Sequence, residues 1–217
     1  MISRGKVYLA PTATPSVTPR PTETPGAPAA YYDDFSDAGS GWAEIDAAAY
    51  SLGYTGDEYR VTIRAYDWKV PSFAPFNATM PHSRIGVSAR QVLGDAAAYG
   101  IIFANDQVQA FLVSPLGYFA VWRYNPETAS WYALSDWQTC DAVLAGSGAN
   151  ALAVEVAGGA AAFYVNGVKL PLSVPIPEGG LPVRRFGIVG VSYSQSSVDL
   201  RFDDFEVQLL DAASWAR

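Results

Sequence analysis

The sequence predicts an all-β protein, an antiparallel two-sheet β-sandwich behind an extended N-terminal tail. Three observations carry this. From Tyr31 onward apolar residues recur with period two in short runs, and Gly, Asn, Asp and Pro punctuate those runs. Only Thr139–Ala145 and residues 211–216 suit a helix, and both are short. About a dozen strands at regular spacing without helices form a sandwich or barrel.

The chain divides into a stalk at 1–29, a sandwich at 30–210 and a tail at 211–217. Lys6-Val7-Tyr8-Leu9-Ala10 is β-prone with nothing local to pair with. Val7, Tyr8 and Leu9 are therefore assembly candidates, able to add a strand to another copy's sheet edge; a leader without a role is the alternative. MISRGKVYLA has no signal-peptide apolar core, so the expectation is either a mature fragment or an export signal that lies outside this sequence. Residues 11–28, PTATPSVTPRPTETPGAP, hold six of the 15 prolines. Proline fixes φ and removes a donor, so this stretch reads as polyproline II, roughly 55 Å long at ~3.1 Å per residue. Thr-Pro tracts of this kind resemble bacterial cell-surface linkers.

In the sandwich region Tyr59–Ala65 alternates strictly, with Val61 and Ile63 on one face and Arg60, Thr62 and Arg64 on the other. Arg84–Arg90 does the same. Further strands read at 99–104, 108–113, 117–124, 130–134, 151–156, 160–166, 185–193 and 198–209. Gly158-Gly159 and Asn166-Gly167 mark hairpin turns.

Composition narrows the function. The 217 residues carry 14 basic and 21 acidic side chains, a net charge of -7, which argues against nucleic acid as the main partner. One histidine and one cysteine leave little for zinc sites, thiol chemistry or His-dependent triads. No apolar run approaches the ~20 residues that span a bilayer, so membrane insertion is not expected. The balance favours a binding or structural module over an enzyme.

Several segments together resemble the concanavalin A-like lectin/glucanase superfamily, in its laminin-G-like and 3-keto-disaccharide-hydrolase-like bacterial versions. They are Asp33-Asp34-Phe35-Ser36 with Gly41-Trp42, Tyr99–Phe103, Phe111–Val113, Gly117–Val121, Asn150–Val156, Phe163–Gly167, Phe186–Gly190 and Phe202–Val207. The resemblance covers about residues 31–209 and implies a jelly-roll sandwich; it does not imply one function, because this fold hosts lectins, glycosidases and scaffolds. Laminarinase-like members use E-x-D-x-x-E to set two carboxylates about 5–5.5 Å apart. Here Glu44-Ile45-Asp46 begins the pattern, but Ala49 stands where the second glutamate belongs.

Three constellations remain. Arg60, Arg64, Arg84 and Arg90 point away from the apolar positions, with Arg123 a fifth candidate; a concave face lined by guanidinium groups would grip acidic polysaccharide. They equally suit solvated positions paired with acids. Tyr118, Trp122, Tyr124, Trp131, Tyr132 and Trp137 form an aromatic group that suits either sugar stacking or core packing, with Trp131 and Tyr132 the better rim candidates. Asp33, Asp34, Asp203 and Asp204 lie on the first and last strands, where hard oxygen ligands would suit a structural Ca²⁺. The alternative is solvent-facing acids beside a β-bulge, where the period slips at Asp203-Asp204. His82 and Cys140 read as a loop histidine and a buried thiol, and Asn77-Ala78-Thr79 is a glycosylation sequon. The expected protein is a non-catalytic extracellular or cell-surface module that binds polysaccharide or mediates adhesion and requires no cofactor. The alternatives are a self-associating subunit of a filament or surface layer, and a hydrolase.

Overall fold

The computed structural model describes residues 29–175, 182–194 and 197–210. Val7, Tyr8 and Leu9, the proline tract and the 211–216 segment lie outside them. In chain order the strands are β1 (Ala29–Asp33), β2 (Ile45–Asp46), β3 (Tyr50–Thr55), β4 (Glu58–Ile63), β5 (Trp68–Phe73), β6 (Ser83–Leu93), β7 (Ala97–Ala104) and β8 (Val108–Ser114). Then follow β9 (Tyr118–Asn125), β10 (Ser130–Thr139), β11 (Asn150–Ala157), β12 (Ala160–Val165), β13 (Val168–Pro175), β14 (Arg185–Ser192) and β15 (Val198–Leu209).

They form two antiparallel sheets. The nine-stranded sheet runs β13-β12-β11-β6-β15-β4-β3-β2, with β1 also on β15, and the six-stranded sheet runs β10-β9-β8-β7-β14-β5. Period-two alternation supplies the shared core: Tyr59, Val61 and Ile63 from β4, Ile85 and Val87 from β6 and Leu152 and Val154 from β11 meet Tyr99, Ile101, Phe111, Phe119 and Ile188 from the other sheet.

β15 organises the larger sheet. Val198–Phe202 pairs with β4 and Phe205–Gln208 pairs with β1, while β6 follows its other edge. The register shifts after Asp203, and Asp204 takes φ 50°. This bulge absorbs one residue, so Phe202 and Phe205 both face the core despite their spacing. The turns at Gly158-Gly159 (φ 57° and 78°) and Asn166-Gly167 (φ 50° and 79°) have the positive φ pair that a type I′ hairpin requires.

The 139–145 stretch is not helical. Thr139 ends β10, the Cys140 amide bonds Gly117 O at 2.8 Å, and Asn150 holds Leu144 through both its amide and its carbonyl. β1, β2, β3, β5 and β13 are absent from the strands expected from alternation in the sequence, and two of them, β5 and β13, contain Pro71 and Pro171. Proline breaks the strand pattern but is tolerated at sheet edges, and both strands are edges.

Candidate functional site: the outer face of the six-stranded sheet

A two-sheet sandwich usually shows water a polar outer face, but every residue of β7 is buried, on both faces. The register explains why. Across the outer face one row runs Phe73, Gly187, Ile102, Ala110, Trp122, and the next runs Pro71, Val189, Gly100, Leu112, Ala120. The floor is thus built of small and aliphatic groups with large rings toward its margins. Ala98, Ile102, Ala110, Leu112, Val189 and Val191 are 0–1% exposed, and Phe73, Val108, Trp122, Trp131, Trp137 and Tyr193 pack against them.

Contacts across this face report its curvature. β5 and β9 lie four spacings apart, ~19 Å in a flat sheet. Yet Lys69 Nζ of β5 sits 5.3 Å from the ring centroid of Trp122 on β9. The sheet curls toward its outer face and both side chains lie over the floor. Trp122 and Trp137 meet at 6.4 Å and 62°, and Trp137 and Tyr193 at 6.2 Å and 81°. Tyr124 and Trp131 pair at 5.5 Å toward the other end, and Arg185 stacks 3.7 Å over Phe73. Gly100 and Gly187 are required by close approach: a Cβ would meet Phe111 O at 1.8 Å and Ser72 O at 2.1 Å.

The face opens at the end formed by the β6–β7 and β8–β9 loops. A hollow of about 300 Å³ there is lined by Ala96, Ala97, Ser114, Leu116, Tyr118, Trp137 and Tyr193. Tyr118 is 42% exposed and Leu116 63%. The Leu116 loop is held by Gly117 N to Ser114 O (3.0 Å), Leu116 N to Ser114 Oγ (3.3 Å) and Gly146 N to Pro115 O (3.2 Å). On its far side lies a second hollow of about 230 Å³, with Gln91, Asp95 and Ser147 in its wall. Trp122 Nε1 and the Tyr193 hydroxyl are buried with no hydrogen-bond partner. Burial and the nearby Asp67 push the Tyr193 hydroxyl well above the ordinary tyrosine range.

The aromatic group splits by parity. Tyr118, Trp122 and Tyr124 share the outer face, joined by Trp131 and Trp137, whereas Tyr132 pairs with Arg123 in the alternate register and faces the other way. Tyr193, Phe73 and Lys69 complete the face and were not found from sequence. The usable signal was Val189, Val191 and Tyr193 alternating with Ile188 and Gly190, an apolar pattern on both faces of one strand.

The arginines lie elsewhere. Arg60, Arg84 and Arg90 belong to the nine-stranded sheet, on its outer face, with Arg64 just past the end of β4. Arg123 belongs to the six-stranded sheet in the register of Val121 and Phe119, opposite to the aromatic face. Arg90 grips Glu58 through two bonds of 3.0 and 2.8 Å, which holds its guanidinium above its usual pKa. Arg60 and Arg201 share Asp199, at 2.7 Å each. Arg84 pairs with Glu155 at 2.6 Å, and Tyr164 donates to the same carboxylate. Arg64 reaches Ala47 O, Ser51 and Asp46. These four are engaged by neighbouring acids or by backbone and hydroxyl oxygens.

The four aspartates are divided. Asp33 turns into the core and accepts from Trp42 Nε1 (2.9 Å), Tyr31 (3.1 Å) and Phe35 N (2.8 Å). Asp34 is exposed, and the hydroxyl and amide of Ser36 lower its pKa. Asp204 accepts from Tyr32, while burial and the charge of Asp204 raise Asp203 to about 6. Among the described residues no three acidic, histidine or cysteine side chains are placed to share a cation. Glu44 and Asp46 sit at the exposed β2 edge, on the opposite sheet from the aromatic face.

No family model and no curated protein matches the chain. Solved structures do. A sialidase aligns with TM-score 0.58 and 12% identity over 85% of this chain, which spans only 19% of that protein. A structure from work on endo-acting O-glycanases, which members of the human gut microbiota express to initiate mucin breakdown, aligns with TM-score 0.61, 12% identity and coverage of 85% and 100%. The carbohydrate-binding module CBM66 from Bacillus subtilis aligns with TM-score 0.57, 9% identity and coverage of 78% and 96%. What the chain shares with these structures is the antiparallel jelly-roll sandwich, the fold that fits the concanavalin A-like expectation.

Proposed function

We propose that this chain is a non-catalytic, extracellular or cell-surface glycan-binding module that seats a sugar on the aromatic end of its curled sheet, against Tyr118, Trp137 and Tyr193. The observation that carries this is the open hollow of about 300 Å³ walled by three rings, one of them 42% exposed. Sugar C–H faces stack on such rings, and the exposed Tyr118 hydroxyl and the Trp137 indole N–H would bond sugar hydroxyls, while Tyr193 contributes its ring. Fold neighbours that include a carbohydrate-binding module and a glycan-active enzyme support a glycan ligand. The non-catalytic part is supported by the hollow's lining, which contains no carboxylate, and by Ala49 in place of the second glutamate.

The test is a glycan array followed by titration of the best hit. Trp137→Ala and Tyr118→Ala are expected to weaken binding about tenfold each, the loss of one stacked ring. Arg60→Ala and Arg90→Ala are expected to leave it within about twofold. Array binding that follows the arginines and ignores the rings overturns this assignment.

A further inference from the structure

Resting on the glycan-binding reading, we propose that the site reads the end of a glycan chain and takes an uncharged terminal sugar with an apolar edge, a 6-deoxy or O-methylated hexose. The first reason is geometric. A polymer lying along the curled sheet would need an open channel, but Lys69, Trp122, Trp137 and Tyr193 meet one another across the middle. The floor beneath them is 0–1% exposed. A sugar therefore enters from the loop end and stops at Trp137 and Tyr193. The hollow of about 300 Å³ lies at the lower limit of small-molecule sites, room for little beyond one ring.

The second reason is chemical. The lining is aromatic and aliphatic, with Ser114 the one aliphatic hydroxyl, and Ser114 Oγ already accepts the Leu116 amide. A uronic acid or sialic acid would bring a charge into a wall that offers no cation, which is costly. The cations of this sheet are committed: Lys69 bonds Asp67 at 2.9 Å and lies over Trp122, and Arg185 stacks on Phe73. A methyl group in place of a hydroxyl removes a polar group that this wall would leave unmet. The rest of the chain leaves over Leu116, which borders both hollows, toward Gln91, Asp95 and Ser147, where hydroxyls of a second sugar find polar partners.

The full chain is tested with methyl α-L-rhamnoside, methyl α-L-fucoside, 3-O-methylglucose, methyl glucoside and methyl glucuronide by saturation-transfer NMR. The array carries paired glycans that differ only by one glucose added to the terminal sugar. At least one of the deoxy or O-methyl sugars is expected to bind five-fold or more better than methyl glucoside. Glucuronide is expected not to bind, and extension by glucose to abolish array binding. Tyr118→Ala removes the signal and Tyr118→Phe retains most of it. Binding that survives extension, or that favours glucuronide or methyl glucoside, overturns the inference while leaving glycan binding intact. No binding to any probe or array glycan overturns both.

Discussion

The carboxylate of Asp33 accepts from Trp42 Nε1, Tyr31 and Phe35 N, and the Trp42 ring lies edge-on to Phe35 and Phe205. Asp33→Ala leaves buried donors unmet and is expected to cost ~2–3 kcal/mol in urea unfolding. Tyr193→Phe removes a buried hydroxyl that has no partner, so a gain of ~1 kcal/mol in urea unfolding is expected, with glycan binding unchanged because the ring that walls the hollow is kept. Asp203 gives a pH signature. Its carboxyl binds a proton more tightly folded, near 6, than unfolded, near 3.8. Its contribution is thus most favourable below about 4 and is lost as pH rises to about 6. With solvent screening the effect is ~1 kcal/mol or less. Asp203→Asn is expected to raise the melting temperature at pH 7 and to flatten its decline between pH 4 and 6. At this scale the sequence told the face of the β4 and β6 side chains but not their partners, and it put Tyr132 beside Trp131 where the register turns it to the opposite face. Period two placed Arg60 and Arg90 away from the core, yet their partners come from other strands: Asp199 of β15 holds Arg60 and Glu58 of β4 holds Arg90.

Strands were legible where alternation was clean, as in β4 and β6, and where a turn dipeptide closed a hairpin, as at Gly158-Gly159. They were lost where proline interrupted the run, in β5 and β13, because a single sequence does not reveal which strand is an edge, and β3 was lost where Gly53 breaks the alternation of a short run. The bulge in β15 was visible as a slip of period at Asp203-Asp204; its use, passing one strand edge from β4 to β1, was not. β7 and β14 were read as strands, while their double-sided burial went unread, and that burial marks the covered outer face. Gly100→Ala tests how tightly β7 lies against β8. A methyl group pressed on Phe111 O is expected to cost ~2 kcal/mol or more in chemical unfolding, and a neutral result would contradict the packing described.

The two outer faces of the molecule differ in kind. The nine-stranded sheet carries a lattice of arginines and acids, and the six-stranded sheet carries rings over an aliphatic floor. The jelly-roll architecture followed from pattern and punctuation. The site did not, since its hollow joins Ala97 of β7, Ser114 of β8, Tyr118 of β9, Trp137 of β10 and Tyr193 just past β14, residues that only the fold brings together. Binding through rings responds weakly to ionic strength, whereas binding through guanidinium groups weakens steeply as salt screens it. The most direct measurement is a titration of the best array glycan against the wild-type chain, Tyr118→Ala and Arg90→Ala, at low and high salt. Loss of about tenfold in Tyr118→Ala alone, with little change between salt concentrations, is the expected result. Retention of affinity in Tyr118→Ala together with loss in Arg90→Ala and at high salt would contradict the assignment of the aromatic face.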